Sequence, residues 1–494
     1  MNFFSTRNKS NQVSPSYAIA HGLAADGGLF VPETFPALSR EEIMAMTEQD
    51  YAHRSAYVMA KYLTDFTFEE LLQYTTKAYA RFDGDPAPVV KTDEGTFVLE
   101  LWHGPTSAFK DMALTVLPYL VTASKAKLGD DKKSLVLVAT SGDTGKAAME
   151  GFRDVDGTRM IVFYPHGGVS SMQELQMRTQ EGANIDVVAV KGNFDDCQTA
   201  VKTIFNDADA IKQMSDMGYE LSSANSINWG RLVPQIAYYV SAYVDLMDAG
   251  EIEYGQKVNF CVPCGNFGNI LAAYYAKRMG LPVGKLICAS NKNNVLFDFI
   301  TSGTYSTRRD FYKTISPSMD ILVSSNLERL LFELAGRNDE PVRAKMQQLK
   351  DNKEYSLTKA EFDALQAEFM AFWCDDQDTK EIIEETFDET GYLVDPHTAV
   401  AVGAVLDTDL SDECTVVVST ASPYKFTQDV LAAITGKSVS DPFKAAKMLE
   451  NETAMEIPDQ IASLKSKAIL HSTVAGKADL YATVLQILKA AEGK

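Results

Sequence analysis

The run HGPTSAFKDMAL, at residues 103–114, contains the side chain with the clearest potential for covalent chemistry. Lys110 is the one lysine or arginine of this run, and it lies beside Phe109 and near Met112. A lysine that packs against apolar neighbours loses part of its preference for the charged state. The neutral amine is the form that attacks an aldehyde, so Lys110 is a candidate nucleophile. The alternative is a surface lysine whose stem covers apolar neighbours.

Three strand-like runs of the sequence end in short polar stretches. These stretches are TSGDTG at 140–145, GNFGN at 265–269 and STASP at 419–423. In open parallel sheets, ligands bind outside the carboxyl ends of the strands. We therefore expect the three stretches to border one crevice.

The GNFGN stretch has the composition of an anion-binding loop. Its two glycines let the backbone approach a ligand closely, and the helical pattern after it supplies unpaired N–H groups and a positive dipole end. The stretch has no lysine or arginine, so main-chain amides would hold a phosphate there. A plain turn between strand and helix is the alternative.

The TSGDTG stretch offers hydroxyl groups and main-chain amides at a second strand end. Ser141, Thr144 and the amides could bind a carboxylate. The alternative is a capped helix start, with Asp143 or Thr144 as the capping residue.

Alternation of strand-like and helix-like segments predicts an α/β fold with mostly parallel sheets. The apolar runs that we interpret as buried strands are 134–139, 159–164, 185–190, 258–262, 285–289 and 415–418. The segment 339–389 differs because it is strongly charged, and we interpret it as an insertion of surface helices, for example at 358–372 and 379–388.

Composition excludes several classes of protein. The 494 residues carry a formal net charge of −21, which disfavours a nucleic-acid-binding protein. We find no membrane-spanning run and no signal-peptide core, so we expect a cytoplasmic protein without a membrane partner. The six cysteines are too few for a disulfide framework, and the six histidines show no metal-ligand spacing. Cys261 and Cys264 form a single CxxC, which leaves a redox sensor as a remote alternative.

The motifs together resemble threonine synthases of the long bacterial and fungal form, within the fold-type II pyridoxal phosphate enzymes. HGPTSAFKD, SGDTG and GNFGN in this order are a specific combination. An N-terminal block separates this form from cysteine synthases and serine/threonine dehydratases. The matching text is FFSTRN, GLAADGGLFVP, HGPTSAFKD, ATSGDTG, NSINWGRLVPQ, VPCGNFGN, SPSMDIL, VDPHTAV and STASPYKF.

This resemblance implies two α/β domains of the tryptophan synthase β type, preceded by a cap region. We expect the cap at 1–95, a smaller domain with the cofactor lysine at 96–230, and a larger domain with the phosphate loop at 231–494. A monomer or a dimer is expected.

The resemblance also implies roles for individual residues, with Lys110 as the catalytic residue that carries pyridoxal 5'-phosphate. Thr420 is expected at the pyridine nitrogen. The residues expected to bind the cofactor are Lys110, Gly265, Asn266, Phe267, Gly268, Asn269, Thr420 and Asp143. The residues expected to bind the substrate are Thr140, Ser141, Gly142, Thr144, Asn225, Ser226 and Arg231. No metal is expected.

Arg231 is the weaker part of this assignment. The segment NSINWGR supplies a cation and amides, so Asn225, Ser226 and Arg231 are candidates for binding a substrate phosphate. An ion pair on a helix surface is the alternative for Arg231.

The implied reaction converts O-phospho-L-homoserine and water to L-threonine and phosphate. Another fold-type II enzyme, such as a serine/threonine dehydratase or a β-replacement enzyme, is the alternative. The chain departs from the family pattern in two places. Ser422 stands where the long form commonly has histidine, and Cys264 precedes the phosphate loop, where we expect it to pack close to the cofactor and to be the thiol most exposed to oxidation.

Overall fold

The N-terminal region of the computed structural model combines a small antiparallel sheet with helices. The structure describes residues 1–140, 143–169, 171–408 and 413–493, with Asp143 and Ser171 described in their main chain only. The sheet consists of Phe3–Ser5 between Asn8–Val13 and Phe30–Pro32. The helices of this region are Pro15–His21, Arg40–Ala45, Met46–Glu48 (3-10), Tyr51–Tyr62 and Phe68–Tyr79.

A six-stranded sheet forms the larger of the two main layers. Its first five strands are parallel, and the sixth joins antiparallel at one edge. In spatial order the strands are Phe369–Trp373, Val283–Ser290, Val258–Pro263, Thr415–Ser419, Thr96–Glu100 and Val89–Asp93.

A five-stranded sheet forms the smaller layer, and all of its pairings are parallel. In spatial order the strands are Thr473–Gly476, Ile185–Lys191, Thr158–Pro165, Lys133–Ala139 and Tyr219–Ser222. A separate antiparallel pair joins Thr304–Ser306 to Glu354–Ser356. All six strands predicted from apolar runs are present, and the predicted α/β class with mostly parallel sheets is confirmed.

Helices pack on the main sheets, and the longest, Trp229–Asp248, is almost entirely buried. Within the described residues, we find no helix with the length and apolar character that a bilayer crossing needs. The α-helices after the N-terminal region are Asp111–Leu114, Leu117–Lys127, Asp143–Phe152, Ser171–Arg178, Phe194–Asn206, Ala208–Asp216, Trp229–Asp248, Gly268–Arg278, Val295–Ser302, Leu327–Leu334, Asp339–Asn352, Lys359–Glu368, Asp376–Thr390, Pro396–Asp407, Thr427–Thr435, Pro442–Thr453, Asp459–Ala462 and Leu480–Glu492. The 3-10 helices are Pro317–Met319, Pro423–Phe426, Ser463–Ser466 and Lys477–Asp479.

One helix predicted in the charged segment 339–389 has the wrong C-terminal end. The helices of this segment are Asp339–Asn352, Lys359–Glu368 and Asp376–Thr390, but the helix predicted over 358–372 ends at Glu368. The next five residues, FMAFW, form an edge strand parallel to Val283–Ser290. Aromatic residues favour a pleated, half-buried surface, and here that tendency outweighs the charge pattern of the flanking helices.

The sheet pairings cross the linear division into domains. The strands Val89–Asp93 and Thr96–Glu100 pair in the larger sheet, and the C-terminal strand Thr473–Gly476 pairs in the smaller one. The domain boundaries themselves stay predictions.

A buried carboxylate attaches the N-terminal region to the rest of the chain. Glu328 accepts hydrogen bonds from Thr6 Oγ1 at 2.6 Å and from Arg7 Nε and Nη2 at 2.9 and 2.7 Å. The hydrogen bond with Glu328 raises the pKa of Arg7. Because the Glu328 side chain is only 7% exposed, its charge depends on these partners.

We expect Glu328→Gln to lower the free energy of unfolding by about 2 kcal/mol, because it removes the charge from a buried, multiply bonded pair. Denaturant unfolding measures the loss, and limited proteolysis should show earlier cleavage near the N-terminus. The matched control is Asp363→Asn, in the exposed Lys359–Asp363 pair, which should change stability by less than about 0.5 kcal/mol. Equal effects of the two variants would contradict this role of Glu328.

Candidate active site

A cavity of about 310 Å³ lies where two of the predicted polar stretches meet the Lys110 segment. The strands that end there are Val258–Pro263 and Thr415–Ser419, and the helix of the third stretch contributes Thr144. Residues predicted for the site that line this active-site cavity are Lys110, Thr144, Asn225, Ser226, Arg231, Gly265, Asn266, Phe267, Gly268, Asn269 and Thr420.

Of the remaining predicted residues, Thr140 does not line it. Thr140 is buried, and its Oγ1 accepts a hydrogen bond from Gly145 N at 3.1 Å. Ser141, Gly142 and the side chain of Asp143 lie outside the described residues.

A buried aspartate fixes the segment that presents Lys110. Asp111 accepts hydrogen bonds from both Thr106 N and Thr106 Oγ1 at 2.7 Å. A Cβ at Gly104 would lie 2.6 Å from the Asp111 side chain, so only glycine allows this close turn. Burial raises the pKa of Asp111 to about 6. The main chain that carries the Lys110 side chain is therefore held rigidly.

A chain of hydrogen bonds leads from the Lys110 amine to a second buried aspartate. Lys110 Nζ donates to Ser318 Oγ at 3.0 Å. Ser318 N donates to His397 Nε2 at 3.2 Å, so His397 carries its proton on Nδ1 and donates it to Asp395 Oδ2 at 2.6 Å. His397 and Asp395 are both buried.

Sequence reasoning assigned no role to this chain of residues. The motifs SPSMDIL and VDPHTAV contain Ser318, Asp395 and His397, but they lie far apart in the sequence. An Asp-Pro-His run at a helix start was the available signal, because Asp395 also caps the helix Pro396–Asp407.

The 265–269 loop provides main-chain donors for an anion. Phe267 has a left-handed backbone (φ 61°) and precedes the helix Gly268–Arg278, whose N-terminus has no side-chain cap. A Cβ on Gly265 would lie 2.7 Å from the carbonyl oxygen of Ser318. The loop thus reaches its position only with glycine, and the helix N–H groups are left for a ligand.

Asn269 adds an unpaired donor to this loop. Its Oδ1 accepts hydrogen bonds from the hydroxyls of Tyr238 and Tyr239, which fixes the amide orientation. Its Nδ2 is buried and has no hydrogen-bond partner within the part of the chain that the structure describes. A buried donor of this kind fits a phosphate oxygen, so the loop fits the phosphate of pyridoxal phosphate.

Arg231 places an uncompensated cation at the same cavity. Its Nη1 donates to Ala224 O at 2.9 Å, while its Nε is buried and has no hydrogen-bond partner among the described residues. Burial lowers its pKa to about 10. Among the side chains that the structure describes, which do not include that of Asp143, no aspartate or glutamate lines the cavity and Arg231 forms no ion pair. The alternative of a surface ion pair is therefore wrong, and the site is suited to an anion.

Comparisons with known proteins agree with this site. Residues 2–79 match the family model "Threonine synthase N terminus", and residues 86–421 match "Pyridoxal-phosphate dependent enzyme". The threonine synthase of Pseudomonas aeruginosa is 37% identical over 95% of this chain and 98% of its own length. The chain belongs to the threonine synthase family. Its predicted fold class and cofactor, pyridoxal phosphate, are confirmed.

Two further proteins are also similar to this chain. Threonine synthase-like 1 of Homo sapiens is 40% identical over 86% of this chain, which spans only 58% of that protein's length. The crystal structure of pyridoxal-phosphate-bound threonine synthase from Brucella melitensis superimposes with a TM-score of 0.89, 36% identity and 99% coverage of both chains.

The two departures from the threonine synthase pattern have different structural consequences. Ser422 is buried and does not line the cavity, and its Oγ caps the 3-10 helix Pro423–Phe426. Cys264 does line the cavity, but burial and the neighbouring Cys288 raise the pKa of its thiol. Burial likewise raises the pKa of the Cys261 thiol. Reactive cysteines are exposed thiolates, so these two are poor candidates for oxidation or redox sensing.

We expect Arg231→Met to leave the stability of the protein without added anion within about 1 kcal/mol of wild type, because it exchanges an uncompensated buried cation for an apolar side chain. The variant should also lose the rise in Tm that inorganic phosphate gives the wild type. Calorimetry with and without phosphate measures both effects, with Lys444→Gln as an exposed control. A large loss of stability combined with an intact phosphate response would make Arg231 purely structural.

Proposed function

We propose that this protein is a threonine synthase that converts O-phospho-L-homoserine and water to L-threonine and phosphate. The observation that carries the proposal is one cavity with three features: the Lys110 amine, the amide-rich 265–269 loop and the uncompensated Arg231. A reaction with a phosphorylated substrate and a phosphorylated cofactor requires two anion sites beside one amine. Membership of the threonine synthase family supports the same reaction.

Pyridoxal phosphate, when bound, withdraws electrons from the α carbon of an amino acid and makes its proton removable. We propose that Lys110 holds the cofactor covalently and that Gly265, Asn266, Phe267, Gly268 and Asn269 hold its phosphate. Thr420 is proposed at the pyridine nitrogen. Its carbonyl accepts a hydrogen bond from Phe109 N at 2.9 Å, which places it directly beside the Lys110 segment.

Lys110 Nζ is also the proposed carrier of the substrate's protons. Once the substrate amine has displaced it, the Lys110 amine can take the α proton and return it later. Ser318 Oγ, 3.0 Å from Nζ, keeps the amine in a fixed direction by accepting one of its hydrogens. His397 and Asp395 hold Ser318 in place through its main-chain N–H.

The substrate's own anionic groups are assigned to two segments. Arg231, Asn225 and Ser226 are proposed to bind the phosphate of O-phosphohomoserine, since the guanidinium lacks an anionic partner within the described part of the chain. Thr144 and its neighbours at 140–143 are proposed to bind the carboxylate and, through Asp143, to adjoin the cofactor. Among the described side chains of this group, that of Thr144 lines the cavity.

We also propose a cytoplasmic location and a monomeric or dimeric state. All six cysteines are free, and proteins of a reducing compartment generally keep their thiols unpaired.

The test of the proposed function is a steady-state assay of phosphate release from O-phosphohomoserine. We expect turnover by the wild type, and a loss of at least about 1,000-fold in kcat for Lys110→Ala, because both the attachment point and the proton carrier are removed. Borohydride reduction followed by peptide mapping should place the cofactor on Lys110.

The control for this variant is Lys444→Gln, an exposed lysine away from the cavity, which should keep wild-type kcat. Keto-acid formation from serine or threonine without phosphate release would favour a dehydratase instead. A label on another lysine would refute the role of Lys110.

Removal of the Ser318 hydroxyl tests the positioning of the amine. We expect Ser318→Ala to lower kcat about 10-fold with little change in KM, because one hydrogen bond to the amine is worth about 1.4 kcal/mol. Ser466→Ala, at an exposed serine, should change neither quantity. An unchanged kcat in Ser318→Ala would show that the contact is only structural.

A further inference from the structure

A second and larger cavity adjoins the active-site cavity. This outer cavity has a volume of about 820 Å³ and lies between residues 23–29, residues 323–328 and the helix Asp339–Asn352. Ile227 and Ser325 line both cavities, so the two cavities share part of their walls. Leu23 and Val323, on the rim of the outer cavity, are 43% and 56% exposed, so the cavity opens to solvent.

Positive charge predominates in the outer cavity. Four cations line it, Arg7, Arg343, Lys350 and Lys353, against the two carboxylates Asp26 and Glu328. Glu328 is neutralised by its two hydrogen bonds from Arg7. The other carboxylate, Asp26, accepts hydrogen bonds from Ser5 Oγ and Gly28 N, both at 2.8 Å.

Lys350 and Lys353 are the cations without a compensating charge. Both are exposed, and neither forms an ion pair within the described ranges of the chain, whereas Arg343 pairs with Asp339 at 2.7 Å. The acidic neighbours in sequence do not line the cavity, and one of them, Asp351, accepts a hydrogen bond from Gln347.

An acidic protein repels an anionic substrate before the substrate reaches its binding site. The net charge of −21 repels an anion at long range. Local positive charge at a cavity mouth counteracts this repulsion, and such fields raise association rates by about 10-fold to 1,000-fold. The effect is lost when salt shortens the Debye length to about 3 Å.

We propose that the outer cavity is the entrance through which the phosphorylated substrate reaches the active-site cavity, with Lys350 and Lys353 as the charges that attract it. This inference rests on the proposed function, because it takes the substrate to be a phosphate ester. Ile227 and Ser325 then lie between the entrance and the active-site cavity. Ser325 contacts the phosphate loop as well, since its Oγ donates to Asn266 Oδ1 at 3.4 Å.

A purely structural role for the two lysines makes a different prediction. They lie at the C-terminal end of the helix Asp339–Asn352, where cations stabilise the helix dipole. In that case their removal would lower Tm and leave the association rate of the substrate unchanged.

The test is stopped-flow mixing of the holoenzyme with O-phosphohomoserine, followed by the absorbance change of the cofactor. We expect Lys350→Gln/Lys353→Gln to lower the association rate constant about 5-fold at about 0.01 M salt, with no difference from wild type at about 1 M. The dissociation rate and kcat should be unchanged. Association of L-threonine, which has no net charge, should be unaffected.

The matched control is Lys359→Gln/Lys444→Gln, which removes the same charge at two exposed lysines that line neither cavity. An equal effect in this control would mean that the net charge alone governs the association rate. It would overturn the proposal that the outer cavity is the entrance. Wild-type rates and salt dependence in Lys350→Gln/Lys353→Gln would overturn it as well. Absence of phosphate release by the wild type would instead overturn the proposed function.

Discussion

Positive charge has to be concentrated at one cavity of a chain whose net charge is −21. The structure does this by burying Arg231, which has no acidic partner among the described side chains, and by directing the N-terminus of the helix Gly268–Arg278 at the same space. Burying an uncompensated guanidinium costs free energy in the protein without ligand. An anion that binds there would offset this free-energy cost. We therefore expect the affinity for a phosphorylated ligand to come from the buried Arg231 guanidinium rather than from a flexible surface lysine.

Precise placement of the Lys110 amine depends on backbone that only particular residues allow. Gly265 lets the phosphate loop approach the carbonyl of Ser318, and Ser318 in turn contacts the amine. His397 and Asp395 hold Ser318 from behind through buried hydrogen bonds. The 265–269 loop and the amine are therefore positioned by the same short segment, so a shift of Ser318 would disturb both at once.

The sequence was sufficient to predict the buried strands, because short continuous apolar runs such as 134–139 are typical of strands covered on both faces. The Lys110 and 265–269 segments were also recognisable, since their composition is unusual over a few residues. Ser318 and His397 were not, because their roles arise from contacts between segments 79 residues apart in the chain. The strand Phe369–Trp373 was missed for a related reason: its strand partner is distant in sequence, while the charged neighbours that suggested a helix are local.

The N-terminal region is hydrogen-bonded, through Arg329, to the segments that carry both proposed anion sites. The buried guanidinium of Arg329 donates to the carbonyls of Phe30 at 3.0 Å and of Ile227 at 2.6 Å, and also to Asn326 Oδ1. Asn326 N donates to the carbonyl of Asn266 at 3.1 Å. One arginine thus connects the N-terminal sheet to the segment proposed for the substrate phosphate and to the loop proposed for the cofactor phosphate. Because both proposed anion sites share this support, we expect the N-terminal region to hold them at a fixed separation.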